Sequence, residues 1–345
     1  MARALRLASS EVVVIRRLVV SAPGRANLVG NPSDQYGGCQ VSCAVPLRAR
    51  VVLEAASETR LASGGEEERI SPAPDLAPRG DLLDLGRAAL RFTGPPYPRA
   101  RIAYASEIPL RSGLAGSTAL LVALLHGLLA WRGERLAGHR LAEQARRVER
   151  EDLGIVCGFG DQYMAAFGGL RFLDFRGKAH GSPTETLRLA TVEDLAPFVP
   201  ELPFVLAFTG VEHSSSAVHA PIRERWLAGE RAVVEGYERV AALGAEGKRA
   251  LLDADWPRLA AAMNENHAIQ RGLGGSGAVN ERLIAAALAA GAPAAKLAGA
   301  GHGGTIVVLW PGGDAAPLER ALRGAGAEAI YRPAPVPGVT SEASD

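Results

Sequence analysis

Three glycine-bearing segments, far apart along the chain, most constrain how these 345 residues can fold. They span residues 23–38, 109–119 and 296–305. Glycine lets a backbone turn sharply and approach a ligand closely, because it carries no side chain. Each segment alone is a weak signal of function. Together, in this order and at this spacing, they predict a binding site built from loops.

The first segment places polar side chains between glycines, directly after a predicted strand. Arg25, Asn31, Asp34 and Tyr36 supply a cation, an amide, a carboxylate and a phenol within one short stretch. Such groups can converge on a small polar ligand. The alternative is a tight connection from strand to loop, in which they are ordinary turn residues.

The second segment leads into a strongly apolar helix. Free N–H groups at a helix start attract phosphate oxygens, and small residues let a phosphate come close. The segment is not a Walker A loop, because no lysine follows its glycines. The hydroxyls of Ser117 and Thr118 could bind Mg²⁺ or simply cap the helix. The candidate phosphate-binding residues are Gly113, Leu114, Ala115, Gly116, Ser117 and Thr118.

The third segment carries four glycines within residues 299–304, between two apolar runs. A hairpin turn accounts for part of this pattern, but hardly for four glycines. A loop of this composition can lie flat against a substrate, and Gly301 and Gly303 are its candidate contacts.

Composition excludes several classes of protein. Hydrophobic residues make up 48% and charged residues 22%, as in a globular enzyme. The 38 basic and 37 acidic side chains nearly cancel, which argues against a nucleic-acid partner. The longest apolar run, residues 119–130, is too short for a membrane span, and no signal peptide is evident. Three cysteines suit a reducing compartment, so we expect a cytoplasmic protein.

Length and apolar patterning predict two mixed α/β domains. We expect a first domain over residues 1–190, a second over 191–332 and a flexible tail over 333–345. Residues 56–80 are expected to be a solvated loop or hairpin tip. Strands are predicted at Val12–Ile15, Leu18–Ser21, Val51–Leu53, Arg101–Tyr104, Gly169–Phe175, Phe204–Thr209, Ala295–Leu297 and Thr305–Trp310. Helices are predicted at 82–92, 117–131, 140–151, 221–243, 247–253, 256–271, 279–290 and 318–324.

The three segments resemble the three motifs of the GHMP kinases, the superfamily of galactokinase, homoserine kinase, mevalonate kinase and phosphomevalonate kinase. The first is similar to the sugar motif of galactokinases, the second to their phosphate loop and the third to their glycine-rich C-terminal motif. The resemblance covers about residues 18–325. It implies a two-lobed α+β fold, with a first lobe like ribosomal protein S5 domain 2 and a ferredoxin-like second lobe.

The resemblance also implies ATP and Mg²⁺ as cofactors and assigns roles to residues. Thr118 and Glu149 would hold the metal, and Asp161 would be the general base, with Arg25 beside it. Glu149 precedes Asp161 by 12 residues, the spacing of the metal-binding Glu and catalytic Asp in galactokinase-like sequences. The alternatives are a solvated helix carboxylate for Glu149 and an exposed N-cap for Asp161.

Finer features resemble glucuronokinases. Asn31-Pro32-Ser33-Asp34 replaces the Glu-His-Thr-Asp of galactokinases, and residues 216–227 are also similar to that subfamily. The resemblance implies phosphorylation of the anomeric 1-hydroxyl of a sugar, with glucuronate the best guess. Asn31, Asp34 and Tyr36 would bind sugar hydroxyls, and Arg223 or Arg225 would bind the carboxylate.

Two alternatives remain open. The loop over residues 298–304 looks more like that of heptose-phosphate kinases, so the substrate could be a heptose phosphate or another sugar. A catalytically silent sugar sensor is the alternative of a different class. A sensor would be expected to have lost the base, its arginine or the metal ligands, and all of these residues are present.

Overall fold

The computed structural model describes residues 16–178, 188–212 and 215–344, which form two β-sheets with helices packed on them. The strands in these ranges are β1 (Arg17–Val29), β2 (Cys39–Ala55), β3 (Thr59–Ser63), β4 (Glu66–Ile70), β5 (Ala100–Ser106), β6 (Leu170–Asp174), β7 (Thr191–Asp194), β8 (Phe204–Phe208), β9 (Ala294–Leu297), β10 (Thr305–Leu309), β11 (Ala329–Tyr331) and β12 (Thr340–Ser344). The helices are α1 (Asp84–Thr93), α2 (Gly116–Trp131), α3 (Gly138–Glu151), α4 (Gly160–Phe167), α5 (Ser215–Leu227), α6 (Arg231–Leu252), α7 (Trp256–Gly272), α8 (Ala278–Ala289) and α9 (Ala316–Gly324). The predicted α+β class is confirmed.

The first sheet has eight strands in the order β12-β1-β2-β5-β3-β4, with β6 paired to β2 and β7 paired to β6. The long antiparallel pair β1 and β2 places Val20 opposite Val51 and Leu18 opposite Leu53. All four side chains are buried. They are buried because α2 lies on this face of the sheet, with Gly127 against Leu53 and Val20.

Helix α2 is apolar on all sides, with eleven buried residues. It contacts β1, β2 and β5 of the sheet as well as α1, α3 and α4. A helix without a polar face is stable only when it is covered all round. This central position fixes α2, and it sets the start of the helix at the end of the second glycine-bearing segment.

The second sheet is antiparallel, in the order β11-β8-β10-β9. Along β8, Val205 and Ala207 face a cluster that includes residues of α8 and α9. Phe204 and Leu206 face the opposite way, into the main core, which also contains residues of α7. The two-residue alternation of a strand therefore lets this short sheet bury both faces.

Three expectations from the sequence need correction. Residues 56–80 include the hairpin β3–β4, and β3 pairs in parallel with β5, so Leu61 is buried within the first sheet. The expected flexible tail contains β12, which pairs antiparallel with β1. Strand β7, at the start of the expected second domain, pairs with β6 in the first sheet. The strand predicted at Val12–Ile15 lies outside the described residues.

Two other expectations, one helix and one strand pair, are confirmed. The apolar helix predicted at Ser117–Trp131 is α2. The apolar runs that flank the third segment form the antiparallel pair β9 and β10. In the ranges that the structure describes, no helix combines the length and apolar character needed to cross a membrane.

Candidate active site

A cleft of about 360 Å³ lies where the three glycine-bearing segments meet. It also receives residues from the connection between α3 and α4 and from α5. The first segment contributes Arg25, Asn31 and Asp34 to its lining, and the third contributes Gly299 and Ala300. All the candidate phosphate-binding residues of the second segment line it except Leu114. The lining also includes Glu149, Asp161 and His219.

Direct hydrogen bonds hold the segments together. The backbone N–H of Asn27 donates to the carbonyl of Ala298 at 3.2 Å. The hydroxyl of Thr305 donates to the carbonyl of Ser112 at 2.8 Å. The third segment therefore contacts both of the others, and the cleft has one continuous wall built from distant parts of the chain.

The start of α2 faces this cleft without a side-chain cap. Its N-cap residue is Ala115, which has a left-handed backbone with φ of 63° and makes no capping hydrogen bond. Neither Ser117 nor Thr118 caps the helix, so that reading of their hydroxyls is excluded. The first-turn N–H groups and the positive end of the helix dipole are left to attract an anion.

Thr118 and Glu149 lie together at the cleft. The Thr118 hydroxyl donates to Glu149 Oε1 at 2.6 Å, and the Gln162 amide donates to Glu149 Oε2. Glu149 is 1% exposed, so it is not a solvated helix carboxylate. Burial raises the pKa of Glu149 to about 7, although the hydrogen bonds from Thr118 and Gln162 act in the opposite direction.

This pair has the chemistry of a partial Mg²⁺ site. A hydroxyl and a carboxylate are hard oxygen ligands, and Mg²⁺ is commonly held by one or two carboxylates together with substrate phosphates. A cation would also favour the ionised form of a buried carboxylate such as Glu149. Among the described residues, no cluster of three or more acidic, histidine or cysteine side chains could hold a metal ion alone. Phosphate oxygens of a bound nucleotide could complete the ligand set of a metal ion at this pair.

Asp161 and Arg25 form an ion pair across the cleft floor. Arg25 reaches Asp161 Oδ1 through Nε at 2.7 Å and through Nη2 at 2.5 Å. A third nitrogen of Arg25 donates to the carbonyl of Gly113. The N-cap of α4 is Phe159 and makes no side-chain capping bond, so Asp161 is not that cap. One guanidinium thus links the acid to the second segment.

Asp34 positions the turn that precedes Asp161. Its Oδ2 accepts hydrogen bonds from the backbone N–H groups of Phe159 at 2.8 Å and Gly160 at 2.9 Å. A Cβ at Gly158 would collide with that same oxygen, so this position requires glycine. Burial raises the pKa of Asp34, and the two backbone hydrogen bonds oppose that shift. Asp34 therefore carries a structural role beside any contact with a ligand.

Five predicted substrate residues lie outside the cleft lining, and three of them have polar side chains: Tyr36, Arg223 and Arg225. Tyr36 packs against Tyr237, with ring centroids 4.1 Å apart, and against Trp226. Arg225 pairs with Glu230 at 2.7 Å. Arg223, like these two, is absent from the residues that line the cleft.

The third segment contributes different residues from those predicted. Gly301 packs against the carbonyl of Gly275, where a Cβ would collide, and the N–H of Gly303 donates to Asn280 Oδ1 at 2.8 Å. Gly299 and Ala300 line the cleft instead. Gly301 and Gly303, which do not line the cleft, are instead needed for packing within the second sheet and its helices.

Sequence reasoning gave no role to two polar residues of the cleft, His219 and Gln35, and expected Lys296 only to order the third segment or contact a phosphate. His219 lies in the lining, and burial lowers the pKa of its imidazole to about 4. Gln35 is also buried there. Lys296 contacts a lining residue, Asn31, from behind. His219 falls within the segment similar to glucuronokinases, which was the available signal, whereas the placement of Lys296 depends on tertiary structure.

Three family models match this chain. The model described as the GHMP kinases N terminal domain matches residues 84–169, and the one described as GHMP kinases C terminal matches residues 248–328. The galactokinase galactose-binding signature matches residues 14–55. Together these matches cover more than half of the chain and include all three glycine-bearing segments.

Individual relatives agree with these matches. Glucuronokinase 1 of Arabidopsis thaliana is 33% identical over 225 residues, which are 61% of this chain and 58% of that protein. This chain thus spans little more than half the length of that relative. Mevalonate kinase of Pyrococcus furiosus is 27% identical over 86% of this chain and 90% of its own. The crystal structure of Lactococcus lactis galactokinase superposes with a TM-score of 0.78, at 16% identity, over 95% of each chain.

Proposed function

Since this chain belongs to the GHMP kinase superfamily, we propose that it is an ATP-dependent kinase that phosphorylates the anomeric 1-hydroxyl of a sugar. One observation carries the proposal. A carboxylate, Asp161, is held by Arg25 beside the uncapped start of α2, in the cleft where all three segments meet.

Phosphoryl transfer requires positioning and charge neutralisation more than covalent chemistry. The N–H groups at the start of α2 would bind the nucleotide phosphates. Mg²⁺, held by Thr118 and Glu149, would neutralise phosphate charge when bound. Gln162 and Thr118 orient the Glu149 carboxylate for that role through their hydrogen bonds.

Asp161 would accept the proton of the sugar hydroxyl as phosphoryl transfer proceeds. Arg25 holds the Asp161 carboxylate through two nitrogens, and its bond to the Gly113 carbonyl sets the distance between base and phosphate loop. Asp34 fixes the backbone that enters α4, and so orients Asp161. Substrate and nucleotide would thus be aligned by one connected set of hydrogen bonds.

We propose glucuronate as the acceptor, with glucuronate 1-phosphate as the product. Support comes from the glucuronokinase relative and from Asn31-Pro32-Ser33-Asp34 in the first segment. Of the substrate residues predicted from the sequence, Asn31 and Asp34 line the cleft. Arg225 is engaged by Glu230, so the carboxylate of glucuronate needs other partners.

We propose two lobes, each built on one of the two sheets, with substrate and nucleotide bound in the cleft to which both contribute. The first lobe would include β7 and β12 as well as the strands of residues 17–174. The second would extend from β8 to β11.

The test is ADP release from MgATP with a panel of acceptors: glucuronate, galacturonate, galactose, glucose, arabinose, a heptose 7-phosphate and mevalonate. We expect the largest kcat/KM with glucuronate and formation of a 1-phosphate, identified by ³¹P NMR. A response only to a heptose phosphate, a neutral sugar or mevalonate would keep the kinase and reject the uronate. Sugar binding without turnover would favour a silent sensor.

A further inference from the structure

Lys296 is a fully buried lysine that contacts Asn31, a residue of the cleft lining. Its side chain is 0% exposed, and its ammonium donates to Asn31 Oδ1 and to the carbonyl of Leu297, both at 2.5 Å. Burial and the nearby Arg25 charge lower the pKa of Lys296 to about 7. A buried cation without a carboxylate among these partners is costly to maintain, so its position calls for a role.

Asn31 is held in one orientation by this lysine. Its backbone carbonyl accepts from Asn266 Nδ2 at 2.9 Å, and the preceding Gly30 N–H donates to Asn266 Oδ1 at 2.9 Å. Because an ammonium can only donate, Lys296 must face Oδ1 of the amide. The other end, Nδ2, is buried and has no hydrogen-bond partner among the described residues. Asn31 lines the cleft, so this unpaired donor belongs to a side chain at the cleft wall.

The arginines of the cleft lining are already engaged elsewhere, which makes the Asn31 Nδ2 donor a candidate partner for an anionic group. The arginines in the cleft lining are Arg25 and Arg111. Arg25 is engaged by Asp161 and the Gly113 carbonyl, and Arg111 belongs to the phosphate-binding segment. Lys296 adds a further cation next to the first segment, in contact with the Asn31 amide.

On the basis of the proposed function, we propose that Lys296 is a specificity-determining positioning residue. It turns the Asn31 amide so that Nδ2 donates to the carboxylate of a uronic acid, and its charge compensates that of the carboxylate. A site whose buried donor is satisfied by one substrate discriminates strongly against substrates that leave it unpaired.

Two substitutions test this assignment. Lys296→Met removes the cation and keeps the length of the side chain, and Asn31→Asp replaces the donor by an acceptor while keeping the shape. For both, we expect KM for glucuronate to rise about tenfold or more, with a smaller change in kcat and in kcat/KM for glucose. The matched control is Lys248→Met, since Lys248 pairs with Glu193 on β7 and does not line the cleft.

Each outcome separates the two proposals. Equal losses for glucuronate and glucose in both variants would reduce Lys296 and Asn31 to structural residues and overturn the inference. Binding of glucuronate is measured in parallel by calorimetry. Wild-type protein that binds glucuronate through Lys296 but does not phosphorylate it would support the inference and reject the kinase assignment. Protein that neither binds nor phosphorylates a uronate would reject both. Thermal unfolding shows whether a variant has lost its fold. If Lys296→Met has lost its fold, the kinetics of Asn31→Asp decide between these outcomes.

Discussion

Asp161 is restrained on one side and open to the cleft on the other. Arg25 binds its Oδ1 through two nitrogens, and 32% of the Asp161 side chain remains exposed. Asp161→Asn keeps the size of this side chain and removes its basicity. We expect kcat to fall about a hundredfold or more while ATP affinity is retained, because the base acts on the acceptor hydroxyl rather than on the nucleotide. Steady-state kinetics and an ATP titration measure both quantities.

The same chemical change at Asp194 is the matched control. Its carboxylate pairs with Arg171 on the first sheet and does not line the cleft. Asp194→Asn should leave kcat unchanged. Normal turnover by the Asp161→Asn enzyme would remove Asp161 as the base and leave its ion pair with Arg25 a structural feature.

At the level of single residues, the sequence predicted the candidate catalytic and metal-binding residues better than it predicted the neighbours of each side chain. The family resemblance predicted roles for Arg25, Thr118, Glu149 and Asp161, and the structure brings them together as two contacting pairs. Arg225 was predicted to bind the carboxylate of the substrate, but in the structure it pairs with Glu230. Nearby acids compete for an arginine, and the outcome depends on side-chain geometry that a one-dimensional pattern does not contain.

Among the elements, the close approach of the second and third segments depends on Gly299. A Cβ at this position would lie 2.8 Å from the carbonyl oxygen of Gly113 and 3.1 Å from its Cα. Gly299→Ala must therefore push the third segment away from the phosphate-binding segment. We expect a higher KM for ATP, measured by ADP release at saturating sugar.

Gly312→Ala is the control for this prediction. Gly312 lies in the turn after β10, and a Cβ there would meet no atom within 4 Å. Its KM for ATP should match that of the wild type. An unchanged KM in Gly299→Ala as well would mean that the two segments move apart without effect on nucleotide binding.

Elements with long apolar patterns were predictable, and short edge elements were not. Helix α2 was clear because sixteen consecutive residues are mostly apolar. Strands β4 and β12 were missed because they are short and largely exposed, so their side chains resemble those of a solvated loop. Their strand conformation is imposed by backbone pairing with a neighbour, which leaves little trace in the apolar pattern.

Over the whole molecule, the chain returns from the second sheet to the first through residues 332–344. The N–H of Ala334 donates to the carbonyl of Ala44, and the N–H of Gly169 donates to that of Val336. Arg48 binds the carbonyls of Pro337 and Gly338 at 2.9 and 2.8 Å. This segment therefore adds the edge strand β12 to the first sheet. It also supports the turn at the end of α4, the helix that carries Asp161.

Truncation after Arg332 tests whether this segment stabilises the molecule. It removes β12 and exposes the edge of β1, and it breaks the hydrogen bonds to Ala44, Gly169 and Arg48. A net contribution of about 1 kcal/mol for each lost bond predicts a Tm lower by about 5 °C or more. We expect kcat to fall as well, because α4 loses the contact at its C-terminal end. Removal of Asp345 alone keeps all five residue pairs between β12 and β1 and should change neither quantity. Equal Tm and kcat in the truncated and full-length proteins would show instead that the first sheet and the cleft are complete without the C-terminal strand.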